Sequence, residues 1–72
     1  MPGGYAVGEK VFYTAGSQTW PDGDKLTHGQ PGEVTGHLPS DCPVFGKGVS
    51  VMFPGNKLNT YCYLDQLSRT PP

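Results

Sequence analysis

Glycine and proline interrupt this chain so often that only Asn56–Thr70 is free of both for long enough to form an ordinary helix. Proline lacks the N–H a helix needs and clashes with the preceding turn, and glycine raises the entropic cost of ordering. Within Asn56–Thr70 the apolar residues Leu58, Tyr61, Leu64 and Leu67 recur at every third position. At about 100° per residue such a series drifts around the cylinder and gives no sustained stripe. The same stretch carries Thr60-Tyr61-Cys62-Tyr63, a run that favours a pleated strand. The expectation is an all-β chain with one short helical turn.

Size and charge narrow the class. The 72 residues make one domain, of a length that buries only about 60% of its unfolded surface. A charged fraction of 15% and a net charge of −1, with four tyrosines, exclude a disordered polyelectrolyte. No apolar run approaches the roughly 20 residues that span a bilayer. The start, Met1-Pro2-Gly3-Gly4-Tyr5, lacks the basic-then-apolar pattern of a secretion signal, so a soluble cytoplasmic protein without membrane contact is expected.

Alternation places the strands. Glu9–Ala15 puts Val11 and Tyr13 on one face and Phe12 on the other, and Gly32–Leu38 centres on Val34. Gly48–Phe53 sets Val49, Val51 and Phe53 on one side, and Leu58–Tyr63 follows it. Phe53-Pro54-Gly55-Asn56 between these two suits a type II turn and an antiparallel pair. In Leu58–Tyr63, Tyr61 and Tyr63 face away from Thr60 and Cys62, so bringing Leu64 inward calls for a bulge or turn near Tyr63. A last short strand contains Leu67 and Ser68 after a tight turn at Tyr63–Gln66. In the long connection from Ala15 to Gly32, Trp20-Pro21-Asp22-Gly23 reads as a type I turn. Thr19-Trp20 and Lys25-Leu26-Thr27 would then pair as a small hairpin flap, and Gln30-Pro31-Gly32-Glu33 reads as a further type II turn.

Three local pieces resemble SH3-like small barrels. Gly8-Glu9-Lys10-Val11 is similar to their Gly-Asp-x-Val opening, and Gly29-Gln30-Pro31-Gly32-Glu33-Val34 to the Gly-x-x-Gly-x-Val of the KOW element. Tyr63-Leu64-Asp65-Gln66-Leu67 resembles the closing turn whose two apolar residues plug the barrel's end. The resemblance implies a barrel of about five antiparallel strands over residues 8–69, with a long first loop and a short terminal helical turn. Residues 1–7 are then a flexible N-terminal segment and 70–72 a tail.

Trp20 with Asp22 and Asp24 is the leading binding candidate. An aromatic plate beside carboxylates suits a proline-containing or basic extended peptide, and the competing role for Trp20 is a lid over the small core. Tyr13, Tyr61 and Tyr63 are the further aromatic candidates, although one tyrosine is expected to join Phe53 in the core. Cys42 and Cys62 allow one disulfide, with two reduced thiols the default. His28, His37, Cys42 and Cys62 lack a Cys-x-x-Cys knuckle, and Asp22-Gly23-Asp24 lacks the remaining calcium ligands, so neither metal nor cofactor is expected. No nucleophile elbow, phosphate loop or carboxylate pair appears, so no catalysis is expected. The first reading is therefore a monomeric protein-interaction module. A KOW-like nucleic-acid binder comes second, because five Lys and Arg against six Asp and Glu give little pull on phosphate unless Lys47 and Lys57 converge. The third is a structural unit of a tandem chain, with Arg69-Thr70-Pro71-Pro72 as a stiff linker.

Overall fold

Short alternating runs between glycine and proline corners produce seven strands among the described residues. The structure, a computed structural model, describes residues 2–72. Strands β1 (Lys10–Tyr13), β4 (Pro31–His37), β5 (Gly48–Met52), β6 (Thr60–Tyr63) and β7 (Leu67–Ser68) form one antiparallel sheet, ordered β6-β5-β4-β1-β7. Strands β2 (Gln18–Thr19) and β3 (Lys25–Leu26) pair separately as the hairpin expected inside the long first connection. Among the described residues helical structure is confined to 3₁₀ turns at Pro2–Gly4, Phe45–Lys47 and Leu64–Gln66. Among the described residues no helix is long and apolar enough to cross a membrane.

The all-β expectation holds, but the sheet does not close into a barrel. Its edges are β6 and β7, which share no ladder. The turn at Leu64–Gln66 carries the chain across to β1, where Phe12 pairs with Ser68 and Tyr13 with Leu67. Beside β1, β7 lies at the edge of the sheet opposite β6, and among the described residues no strand but β5 pairs with β6.

Parity on β1, β4 and β5 sends Val11, Tyr13, Val34, Val49, Val51 and Phe53 inward, all fully buried. Each such side chain contributes about 1.5–3 kcal/mol over its exposed state. Tyr13 and Phe53 meet edge to face at 6.2 Å. The turn after β5 forms as expected, with the Asn56 N–H donating to Phe53 O at 3.0 Å and Gly55 at φ 94°.

The turn expected at Gln30–Glu33 lies earlier, at Thr27–Gln30. There the Gln30 N–H donates to Thr27 O at 2.9 Å and Gly29 takes φ 84°. Pro31 instead opens β4, and Gly32 pairs with Val11. Gly32 is needed for close approach, since a Cβ there would stand 2.7 Å from Phe53 Cδ1 and 2.9 Å from Val51 Cγ1. Two residues shaped like a turn are in fact the floor beneath a core aromatic.

Residues 1–7, expected to be flexible, include Tyr5, which is buried in the core. The Arg69 guanidinium lies 4.1 Å from the centre of the Tyr5 ring and donates to Glu9 Oε2 at 2.6 Å and Gly3 O at 3.1 Å. Glu9 also accepts the Ala6 N–H at 3.1 Å. That backbone donor, with Arg69 second, holds the Glu9 carboxyl below its ordinary value of 4.5. This staple joins both ends of the chain to the start of β1.

Candidate functional site

The site begins with the turn that aims Trp20. The Gly23 N–H donates to Trp20 O at 3.0 Å, the Trp20 N–H to Asp24 O at 2.8 Å, and Gly23 takes φ 97°. This is a type I turn continued by a glycine bulge, the usual three-residue hairpin connection. Asp22 Oδ1 tightens it by accepting the Asp24 N–H at 3.1 Å. Trp20 is half-buried, packing on the core while still lining a surface cleft. Its lid and surface roles coexist.

Asp24 is 7% exposed, the only carboxylate among the described residues at that level of burial. Its Oδ1 accepts the Lys57 N–H at 2.9 Å, and its Oδ2 accepts Lys57 N–H at 3.0 Å and Leu58 N–H at 3.1 Å. Beside it, Asn56 forms a two-way pair with Lys25, accepting the Lys25 N–H at 3.0 Å and donating to its carbonyl at 2.9 Å. These contacts bolt the β2–β3 hairpin to the β5–β6 connection, so it is no loose flap. They also shorten the expected Leu58–Tyr63 strand, which starts at Thr60 because the Lys57 and Leu58 amides are committed to Asp24.

Once bolted, the hairpin and the start of β6 enclose a cleft of about 250 Å³. Trp20, Asp22 and Asp24 form one wall, and Leu58, Asn59, Thr60 and Tyr61 the other. Tyr61 and Leu58 are more than half exposed. A neighbouring cleft of about 420 Å³ shares Leu58, Asn59 and Tyr61 and adds His37, Pro39 and Ser50. The His37 ring there stacks on Phe45 with centroids 5.7 Å apart.

Four of the six candidate side chains thus meet in one place: Trp20, Asp22, Asp24 and Tyr61. Tyr13 does not reach the surface. It is a core tyrosine, like Tyr5, its hydroxyl donating to Gly16 O at 2.8 Å and accepting from Gln18 Nε2 at 3.0 Å. Tyr63 is exposed on the same face of β6 as Tyr61, but lines different clefts, one with Lys47 and Leu64 and another with Cys42 and Val44. The turn starting at Leu64 resolves the parity conflict, packing Leu64 on the core while both tyrosines stay outward. Leu58, Asn59, His37 and Pro39 were not among the binding residues expected from the sequence, which offered His37 only as a metal-ligand type. Leu58 had one usable signal, its place between a Pro-Gly turn and the strand.

Both cysteines are free thiols. Burial pushes the Cys62 thiol up to about 12, so it stays protonated and unreactive at neutral pH. Among the described residues no three His, Cys, Asp or Glu side chains converge as metal ligands. What the cleft offers is aromatic surface, one free carboxylate oxygen on Asp22 and exposed backbone. Compared with known proteins, the chain matches no family profile, no curated protein and no solved structure.

Proposed function

We propose that this chain is a non-catalytic interaction module of SH3-like architecture that binds an extended peptide between Trp20 and Tyr61. The strand order supports that architecture: a hairpin in the first connection, a central antiparallel pair, and a 3₁₀ turn before a last strand beside β1. The observation that carries the binding reading is the cleft itself, which joins aromatic and acidic side chains of the hairpin to Leu58 and Tyr61 from the far end of the chain. The ring faces take apolar or proline side chains, and Asp22 and Asp24 attract a basic residue of the ligand. The free thiols fit an intracellular setting.

The nucleic-acid alternative needs converging cations. Lys47 precedes β5 and Lys57 follows the turn at its other end, so roughly 15 Å of strand lies between them at about 3.4 Å per residue. That separation favours the peptide. Amide chemical shifts recorded during titration with a peptide array and with homopolymer RNA test the choice. Shifts over Thr19–Asp24 and Leu58–Tyr61 that vanish in Trp20→Ala are expected. Salt-sensitive shifts at Lys47 and Lys57 with RNA, and none with peptide, would replace this reading with the other.

A further inference from the structure

The sheet leaves one edge open at the candidate site. Strand β6 pairs with β5 alone, and nothing else in the sheet covers its other side. In an antiparallel ladder a residue's N–H and C=O point to the same neighbour, and successive residues alternate. The Tyr63 N–H points off the ladder, donating to Gln66 Oε1 at 2.9 Å. Tyr61 therefore turns its own N–H and C=O the same way, and among the described residues no backbone group outside the β5–β6 ladder meets either. Proteins usually blunt such an edge with lysine, proline or a bulge. Thr60-Tyr61-Cys62-Tyr63 has none of these, and its ladder with β5 runs without a register shift. The opposite edge, β7, is only two residues long.

Clefts bracket this edge at both ends. The one holding Trp20 and Asp22 reaches Thr60 and Tyr61, and a second of about 230 Å³ reaches Tyr61, Cys62 and Tyr63 from the side of Leu38 and Val44. The first has two carboxylates and no basic side chain in its lining. The second is walled by Leu38, Val44 and the two tyrosines, with thiols as its polar content. They adjoin at Tyr61, and together they follow the strand from Thr60 to Tyr63, near 10 Å at about 3.4 Å per residue.

We propose that the peptide is held as an added strand on β6, its backbone bonded to the N–H and C=O of Tyr61, with a basic side chain in the Trp20–Asp22 cleft and an apolar one in the Leu38–Val44 cleft. This rests on the peptide-binding reading above and specifies its mode. Backbone pairing supplies sequence-tolerant affinity, and the two clefts supply the selection. The ligand class is an extended segment with a basic and an apolar residue two to four positions apart.

Capped nonapeptides of Thr and Ser, carrying one Lys and one Leu at those spacings, are the probes. N-methylation of successive backbone amides of the best binder is expected to weaken binding roughly three- to tenfold at the one position whose N–H meets Tyr61 O and little at its neighbours. The Tyr61 amide is expected to gain hydrogen-exchange protection on binding. Tyr61→Pro removes the edge N–H without touching the β5 ladder, so it is expected to bind at least about tenfold more weakly than Tyr61→Ala. Peptide binding that needs Trp20, with a flat methylation scan and no Tyr61 protection, overturns strand addition alone. Failure of every probe to bind overturns both readings. A concentration-dependent dimer that protects the Tyr61 amide without peptide overturns it in favour of self-pairing.

Discussion

Replacing Asp24 with alanine separates anchoring from ligand contact. The substitution strands two backbone donors, the Lys57 and Leu58 amides, which bond the carboxylate at 2.9–3.1 Å. A hydrogen bond to a charged group is worth about 1.5–3 kcal/mol, and the exposure of Lys57 and Leu58 lets water recover part of that. The expected loss is about 2–3 kcal/mol, a large share of the 5–10 kcal/mol or so available to a small domain. At about 4–8 °C per kcal/mol for a domain of this size, Tm falls by roughly 10–20 °C. Urea unfolding followed by circular dichroism and Trp20 fluorescence measures it. Asp22→Ala is the control: it loses one part-buried turn bond, costs about 1 kcal/mol, and weakens a basic peptide instead. An Asp24→Ala protein within about 0.5 kcal/mol of wild type would refute the view that this carboxylate bolts the hairpin down.

Gly32→Ala pushes a methyl group into Phe53 and Val51 and is expected to cost about 1–3 kcal/mol in the same urea assay, whereas Gly46→Ala, with open space around it, is nearly neutral. Glu9 has a folded pKa below its ordinary 4.5, so its contribution is present above that value and lost as pH falls through the lowered one. Urea midpoints between pH 7 and pH 3 should therefore fall less steeply in Glu9→Gln, and parallel curves would count against the Arg69 staple. Thiol labelling at pH 8 is expected to modify the half-buried Cys42 in the folded protein and Cys62 only after denaturant, because burial holds Cys62 protonated. Equal labelling of both without denaturant would contradict that burial.

Local chemistry was legible along the chain. Residue-by-residue alternation marks the inner faces of β1 and β5, and Pro-Gly and Pro-Asp-Gly mark the turns after β5 and Trp20, because these signals act within a few residues. The same local logic misread Gln30-Pro31-Gly32-Glu33, since Gly32 answers to Phe53, a residue far along the chain. Alternation put Tyr13 on the inner face of β1, where it meets Phe53, but Tyr5 gave no such sign, because its burial depends on segments far along the chain, Arg69 among them.

The amino-acid order alone therefore determined that this chain is all-β, where the corners after Trp20 and after β5 fall, and that Trp20 stands beside acids on a long connection. Only the tertiary structure decided what those acids do. Asp24 meets amides 33 and 34 positions later, and Tyr61 reaches the same cleft from another strand. It also decided that β6 keeps an open edge, because the last strand joins the sheet beside β1, at the opposite edge. Contacts between segments that meet only on folding leave no periodic trace in either one.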